Sequence, residues 1–483
     1  MPTAKGVRLG YNGALTEVIR YKGEAHLITV APTRSGKGRD VLIPALLEYE
    51  GSCIVIDPKG QLAAVTGPQR ARMGQRVIIL NPFKILPDVL APDSPYHFRG
   101  IPNVDELVTF DGKFNPMAAL DPDSESFGVD CDNIADSIVT KDQGARDSHW
   151  SDSARSLVAG LIMRFAETGP PEIANLAAVR DRIAGLDEDL ISYAFYAMKE
   201  GRDLYMKQKL ARFADGSASN KNEIASIVST AKTQTNFIGN TAIANCLSGP
   251  GFRFRDLKFE ATTVYLVLPT RYLATCGKWF RLVLAAALDD LLREEKGPVP
   301  VLAVMDEFAQ LGRLAVIENA MGLAAGYGVQ FWPVLQDLTR LKEQYGESWE
   351  TFLGNAGIQQ FFAPRENTTS NYVSELCGET TVYSTSETKG TSTNSGRGFL
   401  DGTSGNSEGV STNPTQRRAM LPQEVRRLGG NQSLIFAEGT ENYIIAGRKP
   451  FFAIDEFEGL HSPDPYHKPA GPAASSWIAR PRR

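Results

Sequence analysis

The segment Ala31-Pro32-Thr33-Arg34-Ser35-Gly36-Lys37-Gly38 constrains this chain more than any other. It follows a strand-like run, Leu27-Ile28-Thr29-Val30, and leads into a helix-like run containing Val41-Leu42-Ile43. Strand, glycine-bearing turn, lysine and helix form the layout of a phosphate-binding loop. Backbone N–H groups of the turn cradle an anion, and the helix directs its positive end at the same point. The candidate nucleotide-binding residues are therefore Pro32, Thr33, Arg34, Ser35, Gly36, Lys37, Gly38 and Arg39, with Lys37 reaching the terminal phosphates. The usual pattern has Gly where this chain has Ala31, and Ser or Thr where it has Gly38. Gly38 has no hydroxyl for Mg²⁺, so the metal falls to other groups and water. A strand-to-helix turn that needs Gly only for its geometry is the bland alternative.

A second element argues for the nucleotide site. Val301-Leu302-Ala303-Val304-Met305 is a continuous apolar run that ends in Asp306-Glu307. Such a run suits a strand buried on both faces of a parallel sheet, and its end lies at the ligand-binding edge. There Asp306 is the candidate metal ligand for Mg²⁺, directly or through water. Glu307 is placed to orient or deprotonate an attacking water.

The remaining pattern is read around these two elements. With 483 residues the chain is too long for one ordinary compact domain. Strand-like runs alternate with helix-like ones from Ala25 to about Pro82, with strands at 52–56 and 75–80, and Pro44 is expected to kink or end the first helix. Between Asp121 and Phe254 helical periods take over without a catalytic cluster. Strands resume at 262–269, 301–305, 328–336 and 358–362, and a last pair falls at 432–436 and 443–445. The expectation is an α/β protein with a largely parallel sheet. A nucleotide-binding motor domain is formed by residues 1–120 and 255–460, an all-helical domain at 121–254 is inserted, and a tail at 461–483 is disordered. Residues 384–415, rich in Ser, Thr, Gly and Asn, read as a flexible loop.

Composition excludes several classes. A net charge of −5 makes the whole surface a poor match for nucleic acid, so DNA contact has to come from a local patch or a channel formed on assembly. The five cysteines have no metal-ligand spacing and read as reduced thiols, and His149 beside Trp150 reads as structural. No run of eighteen apolar residues is present, and the first residues lack the apolar region of a signal peptide.

Several segments in order resemble the TraG-type coupling proteins of type IV secretion and conjugation systems. They are residues 31–38 with Ile43-Pro44, then Asp57-Pro58-Lys59-Gly60, then Asp306-Glu307-Phe308-Ala309-Gln310-Leu311-Gly312. Gln336 follows, with Leu341-Lys342-Glu343-Gln344-Tyr345-Gly346 and finally Leu421-Pro422-Gln423-Glu424-Val425. The likeness runs from about Leu27 to Phe452, and that family tolerates Gly after the loop lysine. It implies a RecA-like P-loop NTPase domain, an inserted helical domain, and a hexameric ring holding ATP and Mg²⁺ between subunits. It also implies an ATPase that brings DNA, most simply single-stranded, with a relaxase, or a protein substrate, to a type IV secretion channel. Gln336 would sense the γ-phosphate or position water, and Arg365 and Arg417 are candidates for an arginine finger supplied to the neighbouring subunit.

Members of that family usually begin with two membrane-spanning helices, which this sequence lacks. The opening Met1-Pro2-Thr3 reads as a native start, so the expectation is a soluble variant or one attached through a partner, with a trimmed chain as a third option. The expected location is cytoplasmic, or peripheral at the inner face of the bacterial inner membrane. Two alternatives stand beside the coupling motor. One is a soluble DNA translocase of the FtsK type; the other is a nucleotide-gated recruitment adaptor that pumps nothing.

Overall fold

A computed structural model describes residues 5–91, 97–140, 149–170, 173–214, 218–249, 251–393 and 404–467. Its strands are β1 (Val7–Tyr11), β2 (Val18–Tyr21), β3 (His26–Val30), β4 (Ser52–Ile56), β5 (Arg76–Leu80), β6 (Val108–Thr109) and β7 (Thr262–Leu266). They continue with β8 (Val301–Met305), β9 (Val329–Leu335), β10 (Ala356–Phe361), β11 (Glu379–Thr393), β12 (Ser404–Arg418), β13 (Gln432–Ala437) and β14 (Ile444–Gly447).

Twelve strands form one sheet in the order β2-β1-β14-β13-β10-β3-β9-β8-β4-β7-β5-β6. From β10 to β6 every pairing is parallel, and from β10 out to β2 every pairing is antiparallel. The parallel strands are mostly apolar because both faces are covered, and polar side chains within them are bonded, as Gln360 is, accepting from Thr29 Oγ1 at 3.2 Å and donating to Leu9 O at 2.9 Å. Their period of two is nevertheless visible: Ile54, Ile56, Ile78, Leu80, Val264 and Leu266 enter one buried cluster. Cys53, Val55, Val77, Ile79, Tyr265 and Val267 enter the other.

Between β6 and β7 the described residues are helical or irregular, with helices from Phe127–Ile138 to Thr241–Cys246. The longest, His149–Thr168, is buried along Leu157 to Met163. These helices pack chiefly on one another, His149–Thr168 lying against Phe127–Ile138, Leu204–Ala211 and Ala218–Thr235, and their buried Leu157, Leu161 and Leu210 join a cluster continuous with Ile54 and Leu266.

One expectation is narrowed and two are corrected. Pro44 does not end the first helix. Residues Gly38–Leu42 make a wide π-helical turn in which Ile43 N–H reaches Gly38 O, and an α-helix continues over Ile43–Glu48 with Pro44 in its first turn. Pro44 has no N–H to give to the ladder, and the wide π-helical turn stands immediately before it. Residues 384–415 are not an irregular loop on either side of 394–403, which lie outside the described residues. β11 and β12 form a separate two-stranded ribbon in register from Glu379↔Arg418 to Thr393↔Ser404. Polar composition excludes a core, but Thr, Val and Tyr favour strand geometry, and a ladder of two strands supplies its own hydrogen bonds. The tail is docked at its start: Ser462 is buried, its N–H donates to Val65 O at 3.1 Å, and Gln61 donates to Asp464 at 2.6 Å. The Tyr466 hydroxyl then donates to Lys59 O at 2.7 Å. Residues 468–483 lie outside the described residues.

Candidate active site

The carboxyl ends of β3, β9 and β8 are consecutive along the sheet, and each carries one part of the site. β3 leads into the phosphate loop. Ala31 N–H donates to Leu335 O at 2.8 Å, which ties the start of the loop to the end of β9. Ser35 N–H closes a turn onto Pro32 O, and the first helical bond runs from Asp40 N–H to Gly36 O at 2.8 Å. The amides of Gly36, Lys37, Gly38 and Arg39 precede that bond, so they belong to the turn whose donors lack helical acceptors. Arg34 and Gly36 both have left-handed backbones, at φ 62° and 92°.

At the end of β8, Glu307 also has a left-handed backbone, at φ 56°. The strained turn brings Asp306 and Glu307 back toward the loop. Lys37 Nζ lies 2.8 Å from Glu307 Oε1 and 3.0 Å from Asp306 Oδ1, and all three side chains are at most 17% exposed. Gln336, just past β9, donates to Glu307 Oε2 at 2.7 Å, and Gln310 donates to the same oxygen at 2.8 Å. Burial opposes the charge on Lys37, but Asp306 and Glu307 outweigh it and raise its pKa. Burial likewise opposes ionisation of Glu307, and Lys37, with help from Gln336, outweighs that and holds its carboxyl below the ordinary range. The site thus holds a charged lysine and a charged glutamate at neutral pH.

Asp57, at the end of β4, is fully engaged in the fold. It accepts from the amides of Gln61 and Ala63 at 3.1 and 2.8 Å, capping the helix Gln61–Arg72. Burial pushes its carboxyl up to about 7, against the pull of the Ala63, Lys59 and Leu62 amides and with a further push from Asp306.

Of the remaining sequence candidates, Arg39 turns onto Asp40, with Nε 2.5 Å from Oδ1. Arg365 is exposed just beyond β10, the strand beside β3. Arg417 lies on β12 and is paired with Glu424 at 2.8 Å. Sequence reasoning missed Asp40, Gln310 and Arg448. Arg448 follows β14 and donates to Ser35 O at 2.9 Å and to Asp40 Oδ2 at 3.1 Å. Gln310 was readable as the residue three beyond Glu307 on the same turn; Arg448 had no local signal.

The residues present fit a magnesium nucleotide. Ser35 Oγ is buried beside the loop amides without a hydrogen-bond partner, and Lys37 is neutralised only by two carboxylates that a phosphate and a metal would replace. Among the described residues no group of three or more His, Cys, Asp or Glu side chains could hold a metal alone. One carboxylate with phosphate oxygens and water is the ordinary magnesium environment. Gly36→Ala tests the cradle. A Cβ there would sit 2.5 Å from Asp40 Oδ2 at a φ of +92°. The variant is expected to lose about 1–2 kcal/mol of stability from the left-handed backbone alone, together with most nucleotide affinity, as read by thermal unfolding and nucleotide titration.

A loop lysine facing a strand-end acidic pair, with a glutamine on the strand between them, defines a RecA-like P-loop nucleotide-binding unit. The chain belongs to the family described as "Type IV secretory system Conjugative DNA transfer", which matches residues 4–88 and 104–469. Conjugal transfer protein TraG of Escherichia coli is 27% identical over 406 residues, covering 79% of this chain and 60% of that protein. Protein VirD4 of Agrobacterium fabrum (strain C58 / ATCC 33970) is 29% identical over 426 residues, covering 86% of this chain and 57% of VirD4. The chain thus spans about three fifths of the length of these relatives. The fold is shared with the bacterial conjugative coupling protein TrwBdeltaN70 in its unbound monoclinic form, at a TM-score of 0.60 and 15% identity over 92% of this chain and 89% of that one. TrwB in complex with ADP and Mg²⁺ superposes at 0.59 with 15% identity, covering 93% of this chain and 94% of that one. No helix among the described residues is long and apolar enough to cross a membrane.

Proposed function

We propose that this chain is the ATP-hydrolysing motor of a conjugative coupling protein, which recruits a relaxase–DNA complex or a protein substrate to a type IV secretion channel. The observation that carries the reading is the convergence of Lys37, Asp306, Glu307 and Gln336 at three neighbouring strand ends. The TraG and VirD4 relatives, and a fold shared with TrwB solved with ADP and Mg²⁺, support it.

Residues 36–39 receive the phosphates through their amides, and Lys37 leaves the acidic pair to meet the terminal phosphate. Asp306, freed of the lysine, holds Mg²⁺. The bound ion supplies charge neutralisation at the transferring phosphoryl group. Glu307 takes the proton of the attacking water, and Gln336, which already donates to Glu307, can hold that water because a carboxamide both donates and accepts. Arg365, exposed just beyond β10, and Arg417 on β12 are the candidates for a finger supplied to a neighbouring subunit. The motor works from the cytoplasmic side, free or bound to the inner membrane through partners.

Assembly tests this reading. A ring completes each site with an arginine from the next subunit, a group worth orders of magnitude in rate. It also gathers scattered basic side chains around a strand of DNA, which a subunit of charge −5 holds poorly alone. ATPase activity is expected to rise more than linearly with protein concentration and again with single-stranded DNA. Arg365→Ala is expected to lower turnover until a neighbour carrying the arginine is mixed in. Constant specific activity across a wide dilution series, with particle mass fixed at one subunit, would favour the recruitment adaptor.

A further inference from the structure

We propose that Arg448 is a positioning residue of the phosphate loop, which holds the Ser35 carbonyl so that the Gly36 amide on the same peptide faces the incoming phosphate. This rests on the nucleotide-site reading above.

The peptide between Ser35 and Gly36 lies between two left-handed residues, Arg34 and Gly36. Such backbone persists only when its surroundings over-determine it. A trans peptide points its C=O and N–H in opposite directions, so whatever grips the Ser35 oxygen from beneath aims the Gly36 amide outward. If the peptide turned over, it would present an oxygen to a phosphate instead of a donor. Arg448 supplies the grip at 2.9 Å.

Arg448 is itself fixed on every side. Its Nη1 also meets Asp40 Oδ2 at 3.1 Å, Nη2 donates to Gly430 O, and Nε donates to Gln432 O at 3.2 Å. The guanidinium carbon stands 3.7 Å from the centre of the Phe362 ring, and the residue is 4% exposed. A planar fork with five donors can meet all four acceptors and stack at once; a lysine ammonium cannot. Asp40 fills the space beneath Gly36 where a Cβ would lie, and it is held from its other side by Arg39. Burial lowers the pKa of Arg448 to about 10, with Asp40 opposing, so the group stays charged at neutral pH. Topology makes the contact possible. Two antiparallel pairings separate β14 from β10, so β14 points the same way as the parallel strands and delivers Arg448 to their carboxyl edge.

The test is Arg448→Lys in the full chain, titrated separately with MgATP and MgADP. Both are expected to bind about tenfold weaker or worse, the scale of losing a charge-assisted hydrogen bond. Turnover at saturating ATP should change much less, because Glu307 and Gln336 are untouched. Amide hydrogen exchange should rise at residues 34–39 and stay unchanged at 306–308. Normal affinity for both nucleotides with unchanged loop exchange overturns the proposal, as does protection lost evenly through β13 and β14. If Arg448→Lys fails to fold, Asp40→Asn with the same readouts decides, and wild-type affinity and loop exchange there overturn it too. Wild-type binding that ignores Lys37→Ala defeats the site reading and this inference together. Lys37-dependent binding with a silent Arg448→Lys defeats this inference alone.

Discussion

Lys37→Ala is expected to abolish nucleotide hydrolysis while the chain remains folded. Electrostatic stabilisation of the transferring phosphoryl group is the main catalytic device in this chemistry, and Lys37 carries the loop's mobile positive charge. The structure adds a second consequence. Without the ammonium, Asp306 and Glu307 lose the cation that touches both of them, and only the more distant Lys59 and the amides of Gln336 and Gln310 remain to support the charge on Glu307. The sign of the pH effect follows from the two shifts. Glu307 is depressed in the folded state, so its contribution to stability is present above the ordinary carboxylate pKa and is lost as pH falls through its lowered value. Lys37 is raised, so its contribution is present below the ordinary lysine pKa and is lost only as strongly alkaline pH is reached. The pair therefore stabilises the fold across the neutral range. The melting temperature of Lys37→Ala should fall further below wild type at about pH 7 than at about pH 4, where the carboxylates begin to protonate. ATPase activity near wild type in this variant would show the loop assignment to be wrong.

Glu307→Gln should separate binding from chemistry. The amide retains size and much of the contact with Gln336 and Gln310 but cannot accept a proton. Hydrolysis is expected to fall by roughly a hundredfold or more, the range for losing a general base. Binding should be retained or tightened, because an incoming phosphate must draw Lys37 from a carboxylate 2.8 Å away, and the amide holds it less firmly. Fluorescence titration with a labelled nucleotide, beside single-turnover hydrolysis, reads both quantities. Parallel loss of binding and turnover would move Glu307 from catalysis to support of the fold.

The parts of this molecule that could be read from the sequence share a physical reason. β4 and β8 lie at the bounds expected for them because strands covered on both faces are written as unbroken apolar runs. Lys37, Asp306, Glu307 and Gln336 were legible because each stands just beyond such a run, where an α/β sheet binds its ligands. The antiparallel half was harder. In β1, Arg8 and Gly10 interrupt the apolar signal, although Arg8 is buried on Glu48 and Tyr11. Arg448 and Asp40 are 408 residues apart, and only the sheet order brings them together. The ribbon of β11 and β12 was misread because composition reports whether a segment can fill a core, not whether two segments can pair.

The sheet order also bears on synthesis. β4 lies between β7 and β8, neither of which is made until more than two hundred residues later in the chain. At the usual pace of a ribosome, β4 waits roughly ten to forty seconds for its first neighbour. During that interval a strand destined for burial on both faces has both edges unpaired, while the helices of the intervening segment emerge. Those helices pack chiefly on one another, so they offer β4 no partner while it waits. Shortening that segment would bring β7 out sooner and so cut the time β4 spends with both edges bare.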